Sequence, residues 1–297
     1  MFFFSSQALR FLPRSFSKVK DMKKISKLTR GGPYGMGAQG ERSGTIEYLE
    51  DISKTDEHYF RVYENSDCWG FENVGDIMAS HLPPAMAGWC KGFEKGGREW
   101  NAVETKCIGL GDPYCEFKFV PGEIDELKAS LEKDSSVVER IHERLMERLM
   151  GFLLDGKPLV DRPRLGSEVH VHVACHAMGF PHLGERYRMA QRMGGAKTGK
   201  EVGERLMKAG IGEDGAINRV IDFMNYCKVG KVTIGETIRI KENCESLRTK
   251  LFTTIKEPSC YFTTGFLNGL FSAVKNQHVR EIRCIVAGDP CCEWEII

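Results

Sequence analysis

Toward the C-terminus, four residues that suit a soft metal fall into one pattern: Cys260, then Glu281-x-x-Cys284, then Cys292 beyond a Gly288-Asp289-Pro290 turn. Thiolates joined by a carboxylate are a zinc donor set, and zinc takes four such groups in a tetrahedron. The turn accounts for the spacing, because it folds two strands back so that Cys284 and Cys292 face each other. Cys260, at the start of a helix packed on those strands, reaches the same point. The 297-residue chain has 11 cysteines in all. An odd number, no small-residue cleavage site after an apolar segment, and a chain too long to need staples favour reduced thiols over a disulfide framework.

The pattern occurs twice. ETKCIGLGDPYCEFKF (104–119) returns as EIRCIVAGDPCCEWEI (281–296), a shift of 177 residues. The same shift takes Cys107 to Cys284, Asp112 to Asp289, Cys115 to Cys292 and, further upstream, Gly88 to Gly265 and Gly92 to Gly269. With one residue of slippage, FRVYENS (60–66) pairs with IRIKENC (238–244). The first copy keeps Glu104, Cys107 and Cys115, but Pro83 stands where Cys260 is expected, and proline cannot ligate. The candidates for the missing donor are His81, ranked first, then Cys90 from further along a helix or Cys68 from the preceding strand; otherwise the first site is empty. Cys291 falls at Tyr114 of the first copy and is given no ligand role.

Each copy reads as strand, helix, strand, turn, strand. In the second, Val232, Ile234, Ile238 and Ile240 carry mainly period-two apolar positions, Cys260–Val274 has helix length, and 279–286 is strand-like. Upstream lie helices over 186–209 and 216–227, the latter with Ile217, Val220, Ile221 and Met224 on one face. Gly195, Gly199 and Gly203 form a small-residue helix face suited to close packing. Between the copies, 123–154 reads as a charged amphipathic helix or helix pair with Val138, Ile141, Leu145, Leu149 and Phe152 as its stripe, a core or dimer contact. The organisation expected is a basic, Gly-rich disordered leader (1–40), a partial first module (41–122), an amphipathic helical linker (123–159) and a complete second module (160–297), with the boundary in the Pro-containing loop 155–166.

Hydrophobic residues at 41% and charged residues at 28% are those of a folded globular chain. No apolar run reaches 18 residues, so a spanning helix is excluded and a soluble, cytoplasmic protein is expected. The net charge is +1, but residues 1–30 carry eight Lys and Arg against Asp21, which leaves the rest of the chain at −6. That acidic body argues against nucleic acid as a partner. The leader is read as an extension ahead of an internal start at Met22 rather than as a targeting segment.

The C-terminal arrangement, Cys, four residues, Gly-aromatic, then Glu-x-x-Cys, seven residues, Cys, resembles the 4-vinyl reductase domain family. That family includes accessory proteins of bacteriochlorophyll synthesis, archaeal hydrocarbon-binding proteins, and sensor domains of activators that respond to phenol or xylene. The resemblance covers 160–297 fully and 55–120 in part. It implies an α+β fold similar to subunits of the TRAPP trafficking complex, a helical layer packed on an antiparallel sheet, duplicated here and usually dimeric. It also implies a structural zinc ion on Cys260, Glu281, Cys284 and Cys292. The function it implies is binding of a small hydrophobic molecule, a hydrocarbon, an aromatic or a tetrapyrrole, by a sensor or carrier. Candidate pocket residues are Phe223, Tyr226, Tyr261, Phe262 and Phe266. Two other readings are a reductase or accessory factor of tetrapyrrole metabolism, for which no nicotinamide or flavin motif is found, and a pure assembly module.

Other strings are discounted. GMGAQG (35–40) has no preceding strand, and GGAKTGK (194–200) continues with Glu201 where a phosphate loop needs Ser or Thr. His170, His172, His176 and His182 cluster with Cys175, and partly exposed histidines near a helix start are the plainer explanation. His176 is nonetheless the candidate axial ligand for a tetrapyrrole iron. No nucleophile arrangement stands out.

Overall fold

The computed structural model describes residues 44–78, 87, 98–122, 135–167, 184–252 and 256–297. The basic leader, the 35–40 glycine string, His81, Cys90 and the histidine cluster with His176 lie outside them. The described residues fall into two compact units. One runs up to Leu145 and takes in 160–167; the other holds Met146–Leu159 and everything from Gly184 onward.

The first unit is built on β1 (Thr45–Tyr48), β2 (His58–Tyr63), β3 (Trp100–Lys106) and β4 (Cys115–Pro121), all antiparallel in the order β1-β2-β4-β3. Burial alternates along β2, the period-two signature of a strand with one covered face. Ile46, Tyr48, Phe60, Val62, Phe117 and Phe119 form its core. Residues 160–167 group with this unit. The N–H groups of Arg164 and Leu165 donate to the buried Glu64 carboxylate at 3.0 and 2.9 Å.

Helix α1 (Ser135–Asp155) follows. The expected stripe is only partly right: Val138 and Leu145 are about half exposed, while Val137, Met146 and Leu153 are buried. The apolar content of the sequence is similar at neighbouring positions, so the stripe alone does not fix which residues are covered.

The second unit continues with α2 (Glu185–Lys208), α3 (Glu213–Tyr226), β5 (Lys231–Ile234), β6 (Thr237–Lys241), α4 (Cys244–Phe252), α5 (Tyr261–Lys275), β7 (Val279–Arg283) and β8 (Cys292–Ile296). Its antiparallel sheet has the order β5-β6-β8-β7, the same as the first. The fold is therefore α+β with a duplicated sheet, as the repeat requires. Trp294, Ile238, Ile240, Leu267 and Leu270 are fully buried between sheet and helices, and Ile217, Val220, Ile221 and Met224 of α3 join them. Ile234 is more than a third exposed, because it ends the edge strand at the β5–β6 hairpin.

Helices α2 and α5 meet backbone to backbone. A Cβ on Gly195 or Gly199 would strike the carbonyl oxygens of Phe262 or Phe266, and one on Gly265 or Gly269 would strike those of Arg192 or Ala196. The glycines at four-residue spacing are thus a packing seam, and the phosphate-loop string is interior helix.

The N-terminus of α5 is held from α4. The N–H groups of Phe262 and Thr263 donate to the buried Glu245 carboxylate at 2.9 and 3.0 Å, and the Thr263 hydroxyl donates at 2.6 Å. Burial pushes the carboxyl up to about 7, against the pull of these donors. Glu245→Ala leaves three buried donors without an acceptor and is expected to cost about 3 kcal/mol, read as a lower denaturant midpoint. Glu245→Gln keeps an acceptor and should lose less than half of that.

Candidate metal centres

The repeated Gly-Asp-Pro segment folds the same way in both units. The Cys107 N–H donates to Asp112 Oδ2 and the Cys284 N–H to Asp289 Oδ2, each at 2.9 Å. A single 3₁₀ turn follows (Ile108–Leu110, Ile285–Ala287) and ends on a glycine of positive φ, Gly111 at 99° and Gly288 at 108°. An L side chain is strained there, which is why glycine recurs at this position. Just before the turn, both ladders slip by one residue, between Glu104 and Lys106 and between Glu281 and Arg283. The bulge brings the glutamate onto the side of the following cysteine.

Two clusters result. Cys260, Glu281, Cys284 and Cys292 gather with all donor atoms within 4.8 Å of one another, and so do Cys68, Glu104, Cys107 and Cys115. Both clusters could hold a metal ion. A zinc ion 2.3 Å from each sulfur of a tetrahedron sets the sulfurs about 3.8 Å apart. Cys260 Sγ lies 3.8 Å from Cys284 and 3.5 Å from Cys292, and Cys68 Sγ lies 3.8 Å from Cys107 and 3.4 Å from Cys115. The described cysteines are buried and form no disulfide, and these separations are far beyond a disulfide bond. Cys291 stays outside the cluster. Among the described residues, the group that joins Glu104, Cys107 and Cys115 is Cys68, the last-named alternative; His81 and Cys90 lie outside them.

The carboxylates carry the strongest mark of a missing charge. Both oxygens of Glu104 and Oε1 of Glu281 are shut off from water with no hydrogen-bond partner. Burial, with the neighbouring Cys107 or Cys284, pushes Glu104 up to about 10 and Glu281 up to about 8. Within each trio, Cys107 and Cys284 are held well below an ordinary thiol by the two thiols that donate to them, while Cys68 and Cys260 are pushed well above it. Three thiols and a carboxyl this close cannot all ionise unaided. A divalent cation would supply the charge that lets them, so the donor set is one that could hold such an ion.

The supporting hydrogen bonds are also duplicated. Asn65 Nδ2 donates to Cys115 Sγ at 3.4 Å and to Cys68 Sγ at 3.6 Å; Asn243 Nδ2 donates to Cys260 Sγ at 3.4 Å. Both asparagines are buried. Sequence reasoning gave them no role, although both stand in the paired strings YENS and KENC. Arg61 meets Glu116 at 2.7 Å across β2 and β4, and Arg239 meets Glu293 at 2.8 Å across β6 and β8. In the second unit Glu281 Oε2 accepts from the Cys260 N–H at 3.3 Å and the Thr264 hydroxyl at 3.4 Å, leaving Oε1 free for a metal.

Two cavities open on the second unit, the smaller of them at the second cluster. One of about 290 Å³ has Glu281, Thr264 and Arg192 in its wall. One of about 700 Å³ is lined by Glu185, Arg188, Met189, Arg192 and Tyr261. Arg188 and Arg192 lie over the Tyr261 ring at 5.7 and 6.0 Å. Of the five expected pocket aromatics, Tyr261 lines a described cavity. Phe223 and Tyr226 instead pack on Phe152 of α1, and Phe262 stacks on the buried Phe266. Phe223, Tyr226 and Phe262 are partly buried against the core, and helical spacing is compatible with either a pocket or a core face.

No family model matches the chain. A curated uncharacterized protein of Methanocaldococcus jannaschii is 44% identical over 50 residues, which is 17% of this chain and 28% of that protein's length. Among solved structures, the chain is similar to the phenol-responsive sensory domain of the transcription activator PoxR with phenol, at 19% identity over 43% of this chain and 74% of that one, with a TM-score of 0.35. It is also similar to a vinyl-4-reductase family protein from Methanocaldococcus jannaschii, at 17% identity over 36% of this chain and 66% of that one, with a TM-score of 0.28. No helix among the described residues is long and apolar enough to cross a membrane.

Proposed function

We propose that the protein is a tandem 4-vinyl-reductase-type binding protein in which each unit is pinned by a zinc ion and the second unit holds a small, mainly hydrophobic molecule as a sensor or carrier. The observation that carries the zinc reading is the pair of three-thiol, one-carboxylate clusters with sulfur separations of a tetrahedral zinc site and carboxylate oxygens left without partners. The zinc would hold the bulged β7 and β8 strands to the start of α5, and it would act there as a structural ion. The cavity beside Tyr261 has the volume of a small-molecule site, with Met189 and Tyr261 as apolar wall and Arg188 and Arg192 as donors to a polar substituent. An aromatic ring bearing an oxygen matches that wall.

Native mass spectrometry of the full chain tests the binding half of this reading. A retained adduct, or an adduct formed with phenol or a substituted phenol, is expected, and Tyr261→Ala should weaken it by about tenfold or more. A protein that takes up neither an endogenous molecule nor any of the phenols, or that binds them unchanged by Tyr261→Ala, contradicts it.

A further inference from the structure

We infer that the metal centre of this module can draw its third thiolate from either of two backbone positions, and that the first unit uses the position which the second unit fills with serine. The inference rests on the zinc reading above and deepens it.

The one-residue slippage that pairs YENS with KENC, carried two residues further, pairs Cys68 with Ser246. The backbone agrees. Asn65 Oδ1 accepts the Asp67 N–H at 3.2 Å, and Asn243 Oδ1 accepts the Glu245 N–H at 3.1 Å. The Trp69 N–H donates to the Asn65 carbonyl at 2.8 Å, and the Leu247 N–H donates to the Asn243 carbonyl at 2.9 Å. Position for position, the segment after β2 and the segment after β6 make the same turn. The side chains then point the same way. Cys68 Sγ lies 3.8 Å from Cys107, and Ser246 Oγ lies 3.2 Å from Cys284, the equivalent of Cys107. Ser246 Oγ also accepts the Val286 N–H at 3.3 Å, which leaves its proton to Cys284.

The remaining positions are exchanged. Where the second unit has Cys260, at the N-terminus of α5, the first has Pro83; where the first has Cys68, the second has Ser246. Each unit therefore offers one thiol from this pair of positions, beside an invariant trio of Glu, Cys and Cys. Three donors are too few to close a tetrahedral structural site, and loss of either thiol without the other gained would open it. The exchange also changes what the metal ties down. In the second unit the fourth arm is the residue preceding Tyr261 and the cavity wall, and in the first it is the loop following β2.

The test uses the full chain, loaded with zinc under reducing conditions, with zinc per chain measured by plasma emission. Cobalt-substituted samples add the thiolate-to-metal absorption, which scales with the number of sulfurs bound. The wild type should hold two ions, and Cys68→Ser should lose one. Cys260→Ser should weaken the second site by at least about a hundredfold, since losing a ligand costs more than losing a group behind one. Adding Ser246→Cys to Cys260→Ser should restore binding to within about tenfold of wild type, with the full cobalt absorption of three thiolates. Where Cys260→Ser fails to fold, recovery of folded protein in the double variant is the reading. A double variant no better than Cys260→Ser, while Ser246→Cys alone keeps both ions, overturns the interchange of positions. A wild type that takes up no zinc overturns the zinc reading itself.

Discussion

Replacing Cys284 with serine is expected to empty the second centre and to lower the melting temperature of the second unit by about 10 °C. Cys284 is the thiol that Cys260, Cys292 and Ser246 all approach, at 3.8 Å for Cys260 and 3.2 Å for Ser246. Its loss removes a ligand and leaves the partnerless Glu281 oxygen buried beside two thiols. A loss of about 3 kcal/mol in a unit of this size corresponds to that shift. Chelation of the wild-type protein should lower the second unit's transition by the same amount, and with chelator present in both samples the wild type and the variant should melt together. Cys291→Ser, one residue outside the cluster, should melt within about 2 °C of wild type. Calorimetry of the three proteins with and without chelator checks the set. A chelator that leaves the wild-type transition unmoved contradicts it.

The second large effect belongs to the α2–α5 seam. Gly269→Ala places a methyl group against the Ala196 carbonyl and 2.7 Å from the Lys200 nitrogen, both backbone atoms of α2 that cannot turn aside. The two helices must separate, at an expected cost of about 3 kcal/mol. Gly194→Ala, on the same α2 helix, meets nothing within 4 Å and should be neutral or stabilise by up to about 1 kcal/mol through helix propensity. Opposite signs for two identical substitutions separate close packing from any general intolerance of alanine. Urea midpoints decide the matter; a neutral Gly269→Ala would contradict the seam.

The two clusters are legible in the sequence because residues able to hold a metal ion together are constrained in type and spacing at once. Glu281-x-x-Cys284 and Cys292 fix a bulge, a turn and two strands, and the 177-residue repeat carries the same arrangement to Glu104, Cys107 and Cys115. Cys68 is harder to find, because the 177-residue frame leads from Cys260 to Pro83 while Cys68 falls in the other frame, one residue offset. Extending the ENS and ENC pairing by two residues leads to it. The duplicated Asn65 and Asn243 were visible in the same strings, but an asparagine before a turn is common enough that its donation to a thiol shows only in three dimensions. The pocket aromatics are less legible for a different reason. Phe223, Tyr226 and Phe152 recur at helical spacing whether the face they line is filled by another helix or by a ligand. Helix α1 shows the same limit, since Val137 and Val138 are identical in type and only the first is covered.

X-ray absorption at the zinc edge on the full chain is the most direct test of the central claim. The account predicts two zinc ions per chain with an average shell of three sulfurs at about 2.3 Å and one oxygen at about 2.0 Å. A shell made up mainly of nitrogen and oxygen, or a protein that carries no metal, would contradict it.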